Sequence, residues 1–209
     1  MVLILMELVI TALAVNCYIV GCEETKEVAV IDPGGNAQTI LKALNDNDLK
    51  AIYIINTHGH TDHMGANRTI KDATGAQILI HENDAKMLVN AVSNFSFLTG
   101  SNITSPPAEW MLKEGDIIKV GNTVELEVIH TPGHTTGGIC LKTDSIVFVG
   151  DTLFNGSIGR TDFPGGSYKD IIDSIKEKLM CYDDDTVCYP GHGPATTIGF
   201  ERRYNPFLI

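Results

Sequence analysis

The densest concentration of side chains able to do chemistry lies between Thr57 and His63, which read T-H-G-H-T-D-H. His58 and His60 alternate across Gly59 directly after an apolar run, so on an extended backbone both imidazoles point to the same side and can share one cation. Thr61 or Asp62 is placed to cap a following helix, which puts Asp62 and His63 in its first turn beside the same cavity. A lone His is usually a core or surface residue, and a lone Asp before a helix is usually a cap. Four potential ligands packed into His58–His63 fit neither description.

Three more segments share the grammar of an apolar strand ending in a polar, Gly-rich turn. L-E-V-I-H-T-P-G-H-T-T-G-G delivers His134, I-V-F-V-G-D-T-L-F delivers Asp151, and V-C-Y-P-G-H-G-P delivers His192. Such strand ends are where binding and catalytic residues accumulate. His81 and His130 lack this context and read as hydrogen-bonded structural histidines. Imidazoles and carboxylates in this number suit divalent cations, with zinc, iron and manganese all acceptable to the donor set. No G-x-S-x-G elbow, dinucleotide-binding glycine pattern or P-loop is present, which removes the sequence basis for rival chemistries.

The elements that must position these residues can be read from hydrophobic periodicity. Leu8 to Val20 and Glu27 to Ile31 read as two antiparallel strands joined by Gly21 to Lys26, and Asp32-Pro33-Gly34-Gly35 ends the pair. A helix over 36–45 and a strand over 49–56 follow, stopping at His58. Then come a helix over about 63–73, a strand at 77–80 and a helix over about 82–92. Ser93 to Glu109 is a long, weakly periodic loop, either a lid or an irregular connection. Strands are expected at 117–120, 124–129, 138–142 and 146–149, a helix at 167–178, a strand at 186–189 and a short helix at 197–204. Strands and helices in both halves, without strict alternation, fit an α/β chain built as two mixed sheets face to face with helices outside.

Whole-chain properties bound the functions available. A chain of 209 residues fits one domain, and a fold of this size buries roughly 70 % of its unfolded surface. The net charge of −11 opposes a nucleic-acid partner, which needs clustered Lys and Arg. Five scattered cysteines without a C-x-x-C pair argue against a disulfide framework or zinc ribbon and for a reducing cytoplasm, with Cys17 and Cys140 as buried small hydrophobes. The apolar start is interrupted by Glu7 and has no Lys or Arg before Lys26, so it reads as strand rather than export signal, and no stretch is long enough for a membrane helix.

The set as a whole resembles the metallo-β-lactamase superfamily, whose H-x-H-x-D-H signature is matched by His58, His60, Asp62 and His63. That resemblance implies a four-layer αββα sandwich. It implies that His58, His60 and His134 hold a first metal, that Asp62, His63 and His192 hold a second, and that Asp151 bridges them. T-P-G-H-T-T-G-G, G-D-T-L-F-N-G-S-I-G-R-T-D-F and Y-P-G-H-G-P-A-T-T-I-G-F-E-R-R-Y-N-P-F are similar to the single-domain relatives of glyoxalase II, the hydroxyacylglutathione hydrolases. The longer enzymes add a C-terminal helical domain that grips glutathione, whereas this chain is expected to be one domain over 1–209 without it.

The implied activity is hydrolysis of a small-molecule thioester such as S-lactoylglutathione, by a hydroxide bridging two divalent ions, zinc first and iron or manganese as alternatives. Asp62 would orient that hydroxide as the catalytic carboxylate. Arg160 is implied as a substrate contact, with pairing to nearby Asp162 as the competing reading. Alternatives within the resemblance are a mononuclear-iron persulfide dioxygenase, matched in G-R-T-D-F, and another hydrolase of the same fold such as a lactonase. The sequence is silent on oligomeric state.

Overall fold

The computed structural model describes residues 3–11 and 13–209, apart from the side chain of Thr99. The amino-terminal half forms one mixed sheet. Strands β1 (Leu3–Ile10), β2 (Val15–Cys22) and β3 (Glu27–Ile31) run antiparallel. Helix α1 (Ala37–Asp46) then crosses to β4 (Lys50–Ile55), which lies parallel to β3. Two short helices, α2 (Thr61–Met64) and α3 (Asn67–Thr74), lead to β5 (Gln77–His81), and α4 (Ala85–Leu88) and a long loop lead to β6 (Trp110–Leu112). Strands β4, β5 and β6 continue in parallel.

The carboxy-terminal half forms a second mixed sheet. It begins with β7 (Ile117–Val120), β8 (Val124–His130), β9 (Ile139–Thr143) and β10 (Ile146–Gly150), all antiparallel neighbours. A small hairpin of β11 (Leu153–Phe154) and β12 (Ser157–Ile158) and helix α5 (Tyr168–Ser174) intervene. Next, β13 (Val187–Pro190) joins β10 in parallel, and β14 (Thr196–Thr197) and helix α6 (Ile198–Tyr204) end the fold.

Burial follows these layers. Ile19, Val30, Ile54 and Ile80 face α1 and α3 through Ile40, Leu44 and Ile70. Tyr18, Ile31, Leu79, Val128, Leu141 and Phe148 pack between the two sheets. Val147, Val149 and Cys188 meet α5 and α6 through Ile171, Ile175 and Ile198. Central strands covered on both faces carry near-continuous apolar runs, as β2 does, with every residue buried. The expected αββα sandwich is therefore the architecture present.

Several expected elements differ. The strand expected from Leu8 to Val20 turns back at Thr11–Ala14, where Thr11 and Ala14 take positive φ of 69° and 52° and Ala14 N–H donates to Thr11 O. The result is three strands rather than two. The part of this expectation that falls on Ala12, like the reading of Met1 and Val2, lies outside the described residues. The helix expected over 63–73 is broken in two because Ala66 N–H donates to Pro33 O at 2.8 Å, leaving the helical ladder.

The helix expected over 82–92 stops at Leu88. There the Asn90 side-chain oxygen accepts the Val92 and Ser93 N–H groups, the local competition by which Asn ends helices. The last turns of the helix expected over 167–178 form a π turn, Ile175–Leu179. Strand β6 and the β11–β12 hairpin were not expected, being too short for a periodic signal.

Candidate metal centre

All four segments singled out by their strand-end grammar open on the same edge of the sandwich. Asn56 to His60 leave β4, His134 lies between β8 and β9, Asp151 follows β10, and His192 follows β13. Potential ligand atoms of His58, His60 and His134 lie within 4.8 Å of one another, as do those of Asp62, His63 and His192, and of His58, His63 and Asp151. Asp151 stands between the groups: Oδ2 is 3.6 Å from His134 Nε2 and 3.7 Å from His192 Nε2, while Oδ1 is 3.5 Å from His63 Nε2. His58 and His60 do face the same side, with ring centroids 4.6 Å apart. The expected side-chain cap from Thr61 or Asp62 is not made; His60 occupies the cap position of α2, without a side-chain bond. Asp62 and His63 nevertheless occupy its first turn.

The orientation of these rings is fixed from behind. His134 Nδ1–H donates to Arg160 O at 2.8 Å, His63 Nδ1–H to Asp32 Oδ2 at 3.0 Å, and His192 Nδ1–H to Leu13 O at 3.1 Å. With Nδ1 so committed, each of the three Nε2 lone pairs is turned toward the centre. There Nε2 of His134 lies 3.0 Å from His60 Nδ1, and Nε2 of His63 lies 3.3 Å from His192 Nε2. Buried His58 Nε2 and Asp151 Oδ1 have no hydrogen-bond partner. Facing lone pairs and orphaned buried atoms are costly unless a cation satisfies them, so the residues fit a metal centre.

Charge distribution agrees. Burial works to lower the His63 pKa, but Asp151, Asp32 and Asp62 outweigh it and raise it to about 10. Burial works to raise that of Asp62, yet the His63 charge and the His192 hydrogen bond hold this carboxyl well below the usual range. On the other side, burial pushes His58 well below its ordinary value and His60 down to about 3, with His63 and His134 adding to the effect. Carboxylates thus favour positive charge on the Asp62–His63–His192 side. On the other side, His58 and His60 stay neutral imidazoles, the form that ligates metal.

Two buried carboxylates that the motif reading did not single out build this arrangement. Asp32, at the end of β3 with φ of 50°, accepts Thr57 N–H at 2.8 Å and the Thr57 hydroxyl at 2.6 Å as well as His63. Asp84 accepts Gly59 N–H at 3.0 Å and Gly137 N–H at 2.8 Å. It thereby ties the loop of His58 and His60 to the loop of His134. A Cβ on Gly137 would lie 2.7 Å from Asp84 Oδ1, so the close approach requires glycine there. The signal was available for Asp32, since V-A-V-I-D-P-G-G has the same apolar-strand-then-turn form as the segment of Asp151.

From the other sheet, β2 clamps the His192 turn. Asn16 Nδ2 donates to Pro190 O and Gly193 O, and Tyr18 OH donates to Pro190 O at 2.7 Å. His81 and His130, expected to be structural, stack on each other with centroids 4.0 Å apart, away from the centre; His130 Nε2–H donates to Thr136 O. Arg160 lies on the rim, with its guanidinium bidentate to Asp162 (2.8 and 2.7 Å) and 3.7 Å over the Phe163 ring. A cavity of about 610 Å³ opens on the centre, lined by His60, Asp62, Asp151 and His192 and, toward solvent, by Phe95, Phe154 and Phe163 among others. All five cysteines are free thiols. Among the described residues no helix is long and apolar enough to cross a membrane.

Two mixed sheets with histidines and aspartates gathered at one edge define the class of αββα metallo-hydrolases. The chain belongs to the metallo-beta-lactamase superfamily, whose family model matches residues 10–192. Hydroxyacylglutathione hydrolase GloC of Haemophilus influenzae is 39% identical over 203 residues, covering 95% of this chain and 95% of its own length. The crystal structure of BLEG-1 B3 metallo-beta-lactamase superposes with a TM-score of 0.93 at 33% identity, covering 98% of this chain and 99% of its own. TTHA1623, solved in a di-iron-bound form, gives a TM-score of 0.86 at 33% identity, covering 97% and 100%.

Proposed function

We propose that this chain is a dinuclear metal hydrolase that cleaves a thioester, S-lactoylglutathione or a related acyl-thiol. The observation that carries the dinuclear part is the locking of His63, His134 and His192 through their Nδ1–H groups, which aims three Nε2 lone pairs at the space around Asp151. His58, His60 and His134 would hold one divalent cation, Asp62, His63 and His192 the other, and Asp151 would touch both. Zinc suits this donor set first; iron and manganese remain compatible with it, and a di-iron-bound relative is known. Two cations bound there would lower the pKa of a water shared between them toward neutrality.

The protein's own groups supply the rest. Asp62, turned toward the centre with Oδ2 3.4 Å from His192 Nε2, accepts a hydrogen bond from the attacking water and orients it toward the carbonyl carbon. A C–O bond forms, the C–S bond breaks with its electron pair leaving on sulfur, and the water's two protons go to the thiolate and to solvent, giving carboxylate and thiol. A thiolate with a pKa of ~8.5 leaves without a strong general acid. The 39% identity to a hydroxyacylglutathione hydrolase across nearly the whole chain supports this choice of bond. Arg160, neutralised by Asp162, would meet the substrate as part of the rim.

The test is release of free thiol from S-lactoylglutathione by metal-loaded protein, with Asp62→Ala beside it. Wild type is expected to release thiol, and the variant to lose a factor of about 10²–10⁴ in kcat. Metal-loaded wild type that cleaves no acyl-thiol would end the proposal.

A further inference from the structure

The cavity is asymmetric in a way that bears on which acyl group it takes. On the side of His60, two aromatic rings stand against the ligand imidazole: Phe95 at 4.9 Å and Phe163 at 5.9 Å between centroids, themselves 4.7 Å apart. Leu98, 73% exposed, extends this wall to the mouth. An exposed leucine beside two half-buried phenylalanines at a cavity mouth is apolar surface positioned for a ligand rather than for the core.

The wall is held in place by the polar groups around it. Asn94 O accepts Thr61 N–H at 3.0 Å, joining the loop directly to the helix that carries Asp62 and His63. The Asn94 amide donates to Met87 O and Ile103 O, and its oxygen accepts Ser96 N–H. Phe95 is thrown toward His60 by its left-handed backbone, φ 64°. Arg160 lies flat on Phe163 while Asp162 takes its Nε–Nη2 edge, and its carbonyl holds His134. The Thr61 hydroxyl oxygen is shut off from solvent. Arg160 is the one Lys or Arg among the described residues that line the cavity. Its Nε–Nη2 edge is engaged by Asp162 and its face by Phe163.

Resting on the thioester reading above, we infer that this wall is an acyl-chain subsite and that the enzyme's preferred substrates carry an unbranched apolar acyl group rather than the short hydroxylated lactoyl group. A lactoyl hydroxyl placed against Phe95 and Phe163 would give up water for no partner, which costs free energy, whereas each methylene placed there gains it. The opposite side, where Phe154 approaches His192 at 6.3 Å and Leu13 is 63% exposed, is left for the thiol moiety.

The experiment holds glutathione constant and varies the acyl group through lactoyl, butanoyl, hexanoyl and octanoyl with metal-loaded wild-type protein. A second arm holds octanoyl constant and replaces glutathione by N-acetylcysteamine. The expected result is a rise in kcat/KM of about fourfold for each methylene that reaches the wall, equivalent to ~0.8 kcal/mol. Phe163→Ala and, separately, Phe95→Ala are expected to flatten that slope.

A flat or falling series, or lactoyl as the best substrate, overturns the subsite while leaving thioester hydrolysis intact. The same holds if selectivity appears only in the thiol arm. Cleavage of no member of either series removes the thioester reading, and the subsite with it.

Discussion

Replacing Asp84 is the sharpest way to probe how the protein assembles its ligands, because this residue touches none of them. It is fully buried, and burial raises its pKa despite the hydrogen bonds it accepts. Its two oxygens take Gly59 N–H and Gly137 N–H at 3.0 and 2.8 Å. In Asp84→Ala both amides lose a charged acceptor inside a closed interface. Hydrogen bonds to charged groups are worth ~1.5–3 kcal/mol each, so the loss is about 3–6 kcal/mol, a large share of the ~5–15 kcal/mol that holds a typical domain folded.

Asp84→Asn keeps one acceptor but points an NH2 at the second amide, and about 2–4 kcal/mol is expected on the same scale. Urea unfolding of the metal-free protein reads the stability directly. A second readout is metal affinity: loosening the Gly59–Asp84–Gly137 tie moves His58 and His60 relative to His134. One class of site should therefore weaken about 10–100-fold, the usual effect of removing a group that orients ligands, while the other, which Asp32 supports, weakens less. If Asp84→Ala unfolds within 0.5 kcal/mol of wild type, or weakens both sites equally, the clip between the two loops is not what sets the ligand geometry.

Other perturbations follow from distances at the centre. A methyl group in Gly191→Ala would lie 2.3 Å from Asp151 Oδ1 and 2.7 Å from His63 Cε1; metal titration should show a large loss of affinity while circular dichroism shows a retained fold. Asp32→Asn removes the negative charge that holds His63 and should also weaken metal binding, by about 10–100-fold in a competition titration. Burial, with the stacked His130 adding to it, lowers the His81 pKa to about 4. His81 is thus neutral in the folded protein, and its contribution to stability is present above its unfolded pKa and lost as pH falls from about 6.5 toward 4. When metal-free protein is unfolded in urea between pH 7 and 5, the loss of stability, to which His58 and His60 also contribute, should be smaller by ~1–2 kcal/mol in His81→Gln than in wild type, after allowance for solvent at the pair.

What could be read from the sequence and what could not divides along physical lines. His58, His60, His134, Asp151 and His192 were legible because each follows an apolar strand at a polar turn, and β8, β10 and β13, which run in one direction, deliver their ends to the edge where β4 also ends. Asp62 and His63 were legible through their spacing within the same short segment. The layered fold was legible because β2, β4, β5 and β10 are apolar enough to be covered on both faces.

The breaks were not. The turn at Thr11–Ala14 carries no glycine, proline or asparagine in the described residues to mark it. The split between α2 and α3 depends on Pro33 O, which only tertiary structure brings to Ala66. Asp84 falls inside the helix expected over about 82–92, and its role arises from two glycines, 25 and 53 residues away. Arg160 was visible as a charged residue in a loop, but its commitment to both Asp162 and the face of Phe163 was not.

The dinuclear hydrolase reading is tested most directly by metal analysis of one protein sample that is assayed in parallel for S-acylglutathione cleavage and for oxygen uptake with glutathione persulfide. The predicted result is two metal ions per chain, thiol release from the thioester, and no persulfide-dependent oxygen consumption. One iron per chain, with oxygen uptake and no hydrolysis, would contradict it.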